Sequence, residues 1–159
     1  MSNTDDFNTD LIKVDEIVIT NAAIDNNTGL SALEKDNYYF DITYGFSPGI
    51  NISKKKIKIL FSCDIKTFTN LDEKMEVSGR FDIAYFFGVE NLEKLVNDGE
   101  GFLINPDLLL SLANIAYSTS RGIVYTRCQG TILKKVILPI LSTQKLVEIL
   151  QTKETNNLK

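Results

Sequence analysis

The stretch MEVSGRFDIAYFF, Met75 to Phe87, alternates with hardly a fault. Met75, Val77, Gly79, Phe81, Ile83, Tyr85 and Phe87 fall on one side of an extended chain, and Glu76, Ser78, Arg80 and Asp82 on the other. Side chains switch sides at every residue of a strand, so the pattern predicts a long strand with one buried and one wetted face. A helix would mix the two sets, because its faces recur every 3.6 residues.

The two segments before it alternate in the same way. Ile57, Ile59, Phe61, Cys63 and Ile65 share one face, with Lys56, Lys58, Ser62, Asp64 and Lys66 opposite. Tyr38, Phe40, Ile42, Tyr44 and Phe46 share another, and Ser47-Pro48-Gly49 reads as the break that ends it. Further upstream, Leu11 to Ile24 is a strand whose phase slips near Asp15-Glu16. Ile12 and Val14 fall on one side of it and Ile17 and Ile19 on the other, which a β-bulge would produce. One apolar and one polar face on each strand is the mark of an antiparallel sheet wetted on one side. The expected sheet has four strands in a meander, and the helices that follow must cover its apolar face.

Those helices are marked by their ends. Glu90 to Val96 is a short helical piece closed by Asn97-Asp98-Gly99. Asn105-Pro106-Asp107 starts a long helix, with an Asn cap, Pro in the first turn and an acid near the positive end of the dipole. It runs to about Arg127 and carries a stripe of Leu109, Leu112, Ala113, Ala116, Ser120, Ile123 and Val124. The small residues in the middle of the stripe allow close approach, either to the sheet or to a second copy of the chain. Leu112, Ala113, Ala116 and Ser120 are the candidate oligomer contacts. Gly122 costs about 1 kcal/mol against Ala in a helix, which points to a packing role. Gln129-Gly130-Thr131 breaks the helix, an apolar run Val136-Ile137-Leu138-Pro139-Ile140-Leu141 follows, and Ser142 caps a last helix over Thr143 to Gln151. The fold class is therefore α+β: a four-stranded antiparallel sheet under one long and one shorter helix. Residues 11–151 form a single domain between a loose tail at 1–10 and a solvated one at 152–159.

Composition narrows the function. The formal net charge of -4 argues against nucleic acid as the main partner, since phosphate binding needs a basic footprint. The start MSNTDDFNTD has neither a basic nor an apolar region and is not a signal peptide, and no apolar run approaches the ~20 residues that span a bilayer. A cytosolic chain is expected, with no membrane insertion and with Cys63 and Cys128 as buried thiols. Histidine is absent, which removes imidazole bases, imidazole metal ligands and the catalytic triads built on them. The glycines at 122 and 130 do not match a phosphate loop. Asp15, Glu16, Asp64, Glu76 and Asp82 lie on wet faces, so no catalytic residue, metal site or cofactor is expected and the chain is not read as an enzyme. Lys54, Lys56 and Lys58 would line up on one strand, as a lysine-protected edge or as a docking patch for an acidic partner. In that second case the chain would be an interaction module for one folded protein.

With these elements in order, the chain resembles the SecB family of bacterial export chaperones. The resembling pieces are Leu11 to Ile17 as first strand, Met75 to Ile83 as fourth strand and Asn105 to Leu109 opening the long helix. Ser118 to Gly122 resembles the family's Arg-bearing helix segment, and Val136 to Ile140 the apolar-Pro-apolar run before the last helix. The resemblance covers roughly residues 11 to 150 as a pattern. It implies a homo-oligomer, dimer or tetramer, that binds unfolded polypeptide clients for protein export. The clients would lie in apolar grooves between the sheet and the loop of about Gln129 to Leu141. The implied peptide contacts are Tyr38, Phe40, Ile42 and Tyr44 on the strand and Ile132, Leu133 and Leu138 in the loop. The resemblance also implies a translocation motor, SecA, as a partner. Here the chain departs from the SecB proteins it resembles, whose docking face is acidic where this one carries Lys54, Lys56, Lys58 and Arg80. Members that serve a single partner, such as an antitoxin, are compatible with that departure.

Overall fold

The computed structural model describes residues 7–26, 38–69, 74–99 and 101–154. Its main body is a four-stranded antiparallel sheet of β1 (Ile12–Asn26), β2 (Tyr38–Asn51), β3 (Lys56–Thr69) and β4 (Lys74–Val89). The strands lie in the order β1-β4-β3-β2. Only β2, β3 and β4 form a meander. β1 pairs with β4 rather than β2, so the sheet has Greek-key order and not the expected meander. Alternation could not reveal this, because a strand with one apolar face is equally well buried at either edge of a sheet.

The expected slip in β1 is present, and a second accompanies it. Register shifts fall between Val14 and Glu16 and between Ile19 and Asn21. Each inserts one residue and flips the phase. Ile12, Val14, Ile17, Ile19, Ala22 and Ile24 are thereby all paired with the core-facing row of β4, from Val89 down to Gly79. Two bulges are what make a sequence with broken alternation into a strand with one apolar side. Ser47-Pro48-Gly49 does not end β2, which continues to Asn51. β2 is an edge strand, where proline's missing N–H deprives no neighbour of a hydrogen bond.

α1 (Pro106–Cys128) begins as its sequence announces, with the Asn105 side chain accepting from the Asp107 and Leu108 amides at 2.9 and 3.1 Å. It ends where Gly130 takes a left-handed φ of 75°. The helix lies across β3 and β4. Leu112, Ala113, Ala116 and Ser120 are fully buried there. The Ser120 hydroxyl meets the Tyr85 hydroxyl at 2.6 Å under the helix. The small stripe is thus the contact between helix and sheet, and these four residues are not open to a second copy. Among the described residues Gly122 has no neighbour within 4 Å of where a Cβ would stand, so none of their packing requires it.

Between β4 and α1 the expected helical piece is one 3-10 turn, Leu92–Lys94, followed by a small hairpin of β5 (Val96–Gly99) and β6 (Gly101–Ile104). α2 (Thr143–Glu154) is capped by Ser142, whose hydroxyl accepts from the Lys145 amide at 3.2 Å. It extends three residues past the expected end. At the start of the chain, Phe7 packs against the core and Thr9–Leu11 forms a 3-10 turn capped by Asn8, so this part of the expected tail is ordered. Residues 1–6, 27–37, 70–73, 100 and 155–159 lie outside the described residues.

Candidate polypeptide-binding site

α1 covers β3 and β4, and the outer strand β2 is met instead by the shorter α2. The rows show the effect. On the core side of β3, Ile57, Ile59, Phe61, Cys63 and Ile65 are fully buried. On the same side of β2, Tyr38, Phe40, Ile42 and Tyr44 are only half-buried, and the strand is closed over only at Phe46. The four residues form a continuous apolar row about 20 Å long at ~3.3 Å per residue. The Tyr38 and Phe40 rings meet edge-on at 5.5 Å, and the Tyr44 ring lies 5.6 Å from that of Tyr117 on α1. Beyond the row, β2 turns its outer backbone edge away from the sheet. The sequence places all four row residues on one face, and so does the structure.

The segment between the helices forms the rim. Leu133, Val136 and Leu138 are buried to 1% exposure or less, and Ile132 to 8%. Leu133 settles over Gly79 of β4, where a Cβ would come within 2.8 Å of its Cδ1. Ile132, Leu133 and Leu138 are therefore core residues and not the outward contacts expected from the sequence. The outward apolar residues are Ile137 and Ile140, at 64% and 83% exposure. Sequence reasoning missed them because the run has no polar residue to mark its outer side.

This rim is pinned rather than hinged. The Tyr117 hydroxyl donates to the Pro139 carbonyl at 2.7 Å and Arg121 Nε to the Leu138 carbonyl at 3.1 Å. Gln129 Nε2 donates to the Lys134 carbonyl at 3.3 Å, and the Thr131 hydroxyl folds back to the Cys128 carbonyl at 2.7 Å. Tyr117 and Arg121 stand one helical turn apart, so two successive carbonyls of an irregular segment are fixed from one helix face. Burial pushes the Tyr117 hydroxyl well above its ordinary range, so it remains a donor at any physiological pH. At its near end the rim reaches the strand row: Lys135 Nζ stands 5.6 Å from the centre of the Tyr38 ring.

The opposite face of the sheet is a lattice of ion pairs. Lys56 binds Asp15, which holds that carboxyl below its ordinary range, and Lys13 stands 3.7 Å from it. Arg80 bridges Asp64 at 3.1 Å and Asp82 at 3.0 Å. Burial pulls the Asp82 carboxyl up, but hydrogen bonds from Ser62, Arg80 and Asn21 outweigh it and keep it ionised. The expected row of Lys54, Lys56 and Lys58 does not form. Lys54 sits in the turn after β2, Lys56 is ion-paired, and Lys58 lies 5.7 Å from the Phe86 ring. β3 is also an inner strand, so the row does not protect an edge. Burial pushes the Cys63 thiol up to about 12 and the Cys128 thiol to about 11, so neither is a thiolate at neutral pH. Among the described residues no group of His, Cys, Asp and Glu is placed to hold a metal, and no helix is long and apolar enough to cross a membrane.

No protein-family model and no curated protein matches the sequence. Solved structures do match the fold. The SecB-like chaperone Rv1957 of Mycobacterium tuberculosis, in complex with a ChAD peptide from the antitoxin HigA1, superposes with a TM-score of 0.60 at 13% identity. The match covers 84% of this chain and 93% of that one. A protein of unknown function from Streptococcus agalactiae matches with a TM-score of 0.40 at 13% identity, over 82% of this chain and 96% of that one. The fold is SecB-like.

Proposed function

We propose that this chain is a chaperone that holds unfolded polypeptides along the β2 row and the rim beside it. One observation carries the reading: an apolar row left only half-buried on an edge strand lies beside a pinned segment that turns Ile137 and Ile140 outward. Such a surface takes apolar side chains of many kinds. The outer edge of β2, which pairs with no further strand among the described residues, offers main-chain hydrogen bonds to an extended client without reading its sequence. Binding of this kind uses no nucleophile, metal or cofactor. The test is aggregation of a chemically unfolded client after dilution. A stoichiometric amount of the chain delays it several-fold; no delay at any ratio refutes the reading.

Two readings of the client set follow. One is export: many unfolded precursors, held in the cytosol and passed to a translocation motor. The other is service to a single partner, such as an antitoxin, and the M. tuberculosis neighbour solved with an antitoxin peptide favours it. Proteins recovered with the native chain from its own cells separate the two. Many signal-bearing precursors support export, and one dominant small partner supports dedicated service.

The chain also works as a homo-oligomer in this reading, through surfaces other than the buried helix stripe. Val14 and Ile17 are 46% and 42% exposed on the core-side face of the edge strand β1, and Ile115 and Tyr125 on α1 are 39% and 47% exposed. Ile115→Asp with Tyr125→Asp is expected to reduce the mass measured by light scattering to that of one chain without lowering the melting temperature. An unchanged mass excludes this surface.

A further inference from the structure

Residues 137–141 form the outer part of the rim, and among the described residues no backbone–backbone hydrogen bond reaches them. Side chains set their course instead. Leu138 is buried and anchors the segment inward. Two successive carbonyls are held from α1, that of Leu138 by Arg121 Nε at 3.1 Å and that of Pro139 by the Tyr117 hydroxyl at 2.7 Å. Each peptide group is a rigid plane, so a held carbonyl fixes the plane it belongs to. The Pro139 ring locks one of the two angles between these planes, and the held carbonyls leave little freedom in the other. The direction in which Ile140 leaves the rim is thereby set. Tyr117 does not depend on its hydroxyl for its own place. It is 3% exposed, and its ring lies 5.6 Å from Tyr44, 6.3 Å from Phe46 and 6.0 Å from Phe61. Tyr44 is the last half-buried member of the β2 row, so one side chain both touches the row and holds the rim.

Resting on the polypeptide-binding reading above, we infer that Tyr117 and Arg121 are positioning residues of the client site. Tyr117 lies in the core and meets no client. The two residues act through Ile140, which they hold turned outward beside the row. A client then finds row and rim already arranged, so the ordering of residues 137–141 does not weaken its binding. Without the two hydrogen bonds the segment samples other directions, and only the fraction of molecules with Ile140 in place binds tightly.

A double-mutant cycle tests it. The probe is a dye-labelled peptide of alternating Leu and Phe, and binding is followed by its anisotropy. Tyr117→Phe deletes the hydroxyl and keeps the ring among its aromatic neighbours. It is expected to weaken binding about fivefold, the size that lost pre-organisation of a short segment gives. Ile140→Ala weakens binding by removing the contact itself. In the Ile140→Ala background, Tyr117→Phe is expected to change affinity by less than about 1.5-fold, because the side chain it positions is gone. Arg121→Met removes the second hydrogen bond and follows the same pattern, so the test stands if either variant fails to fold. A loss of equal size in both backgrounds gives these residues a merely structural role and overturns the positioning. Parent-like affinity in the Tyr117 and Arg121 variants, or in Ile140→Ala, overturns it as well, and each of these results leaves polypeptide binding standing. A parent chain that binds no peptide overturns the proposed function, and the positioning with it.

Discussion

Leu133→Asp leaves the chain unfolded, whereas Ile140→Asp leaves it folded and unable to hold a client. The two residues lie seven positions apart in one apolar segment, and their fates differ because of burial alone. Leu133 is 0% exposed and sits over Gly79 in the middle of the sheet. Losing a buried leucine costs about 2–5 kcal/mol, and an unpaired buried carboxylate costs several more. A domain has only about 5–15 kcal/mol of stability to lose. Ile140 is 83% exposed, so its replacement touches no core contact. As a central apolar contact for a client, its loss is expected to weaken binding at least about tenfold. Circular dichroism and peptide anisotropy on the two variants check both halves. A folded Leu133→Asp protein contradicts the burial of the rim, and an Ile140→Asp protein with full affinity removes the rim from the site.

Phe61→Ala is expected to destabilise the chain by about 3–5 kcal/mol, as truncation of a fully buried aromatic does, and to lower the melting temperature by about 10 °C. Phe61 lies between Phe46 of β2, at 5.6 Å between ring centres, and Tyr117 of α1, at 6.0 Å. It therefore supports the residue that holds the rim, since the Tyr117 hydroxyl donates to the Pro139 carbonyl. The defect should spread from the core to the site. Limited trypsin digestion, below the melting temperature of the variant, should cut after Lys134 and Lys135 several times faster than in the parent chain. A stability loss under about 1 kcal/mol contradicts this packing, and an unchanged cutting rate separates the core from the rim.

Much of this architecture can be read from local chemistry. The alternation of Met75 to Phe87 and of Ile57 to Ile65 fixes two strands and their buried faces, because burial of one side follows from period two. Asn105 and Gly130 mark the ends of α1 because capping and left-handed backbone geometry select those residue types. The Tyr38 to Tyr44 row was also legible, as one face of an alternating strand. Other features depend on what lies across space. Strand order is decided by a crossing that leaves no mark on β1 or β2. The Ala113 to Ser120 stripe announces close packing but not its partner, which proves to be the chain's own sheet. In Ile132 to Leu141 nearly every residue is apolar, so no polar neighbour distinguishes Leu138, which is buried, from Ile137, which is not. Gly79 carries the missing information, as the place on the sheet with room for Leu133, but only the folded chain brings the two together.

A client bound by this chain is expected to lie along β2 and the rim. Hydrogen exchange of the chain, free and loaded with a peptide of alternating Leu and Phe, tests it most directly. A client seated there slows exchange over residues 38–44 and 134–141 and leaves β1 and β4 unchanged. Peptide-bound protein whose protection appears along β1 or on the polar face of the sheet, with residues 38–44 unaffected, would place the client elsewhere and contradict the site.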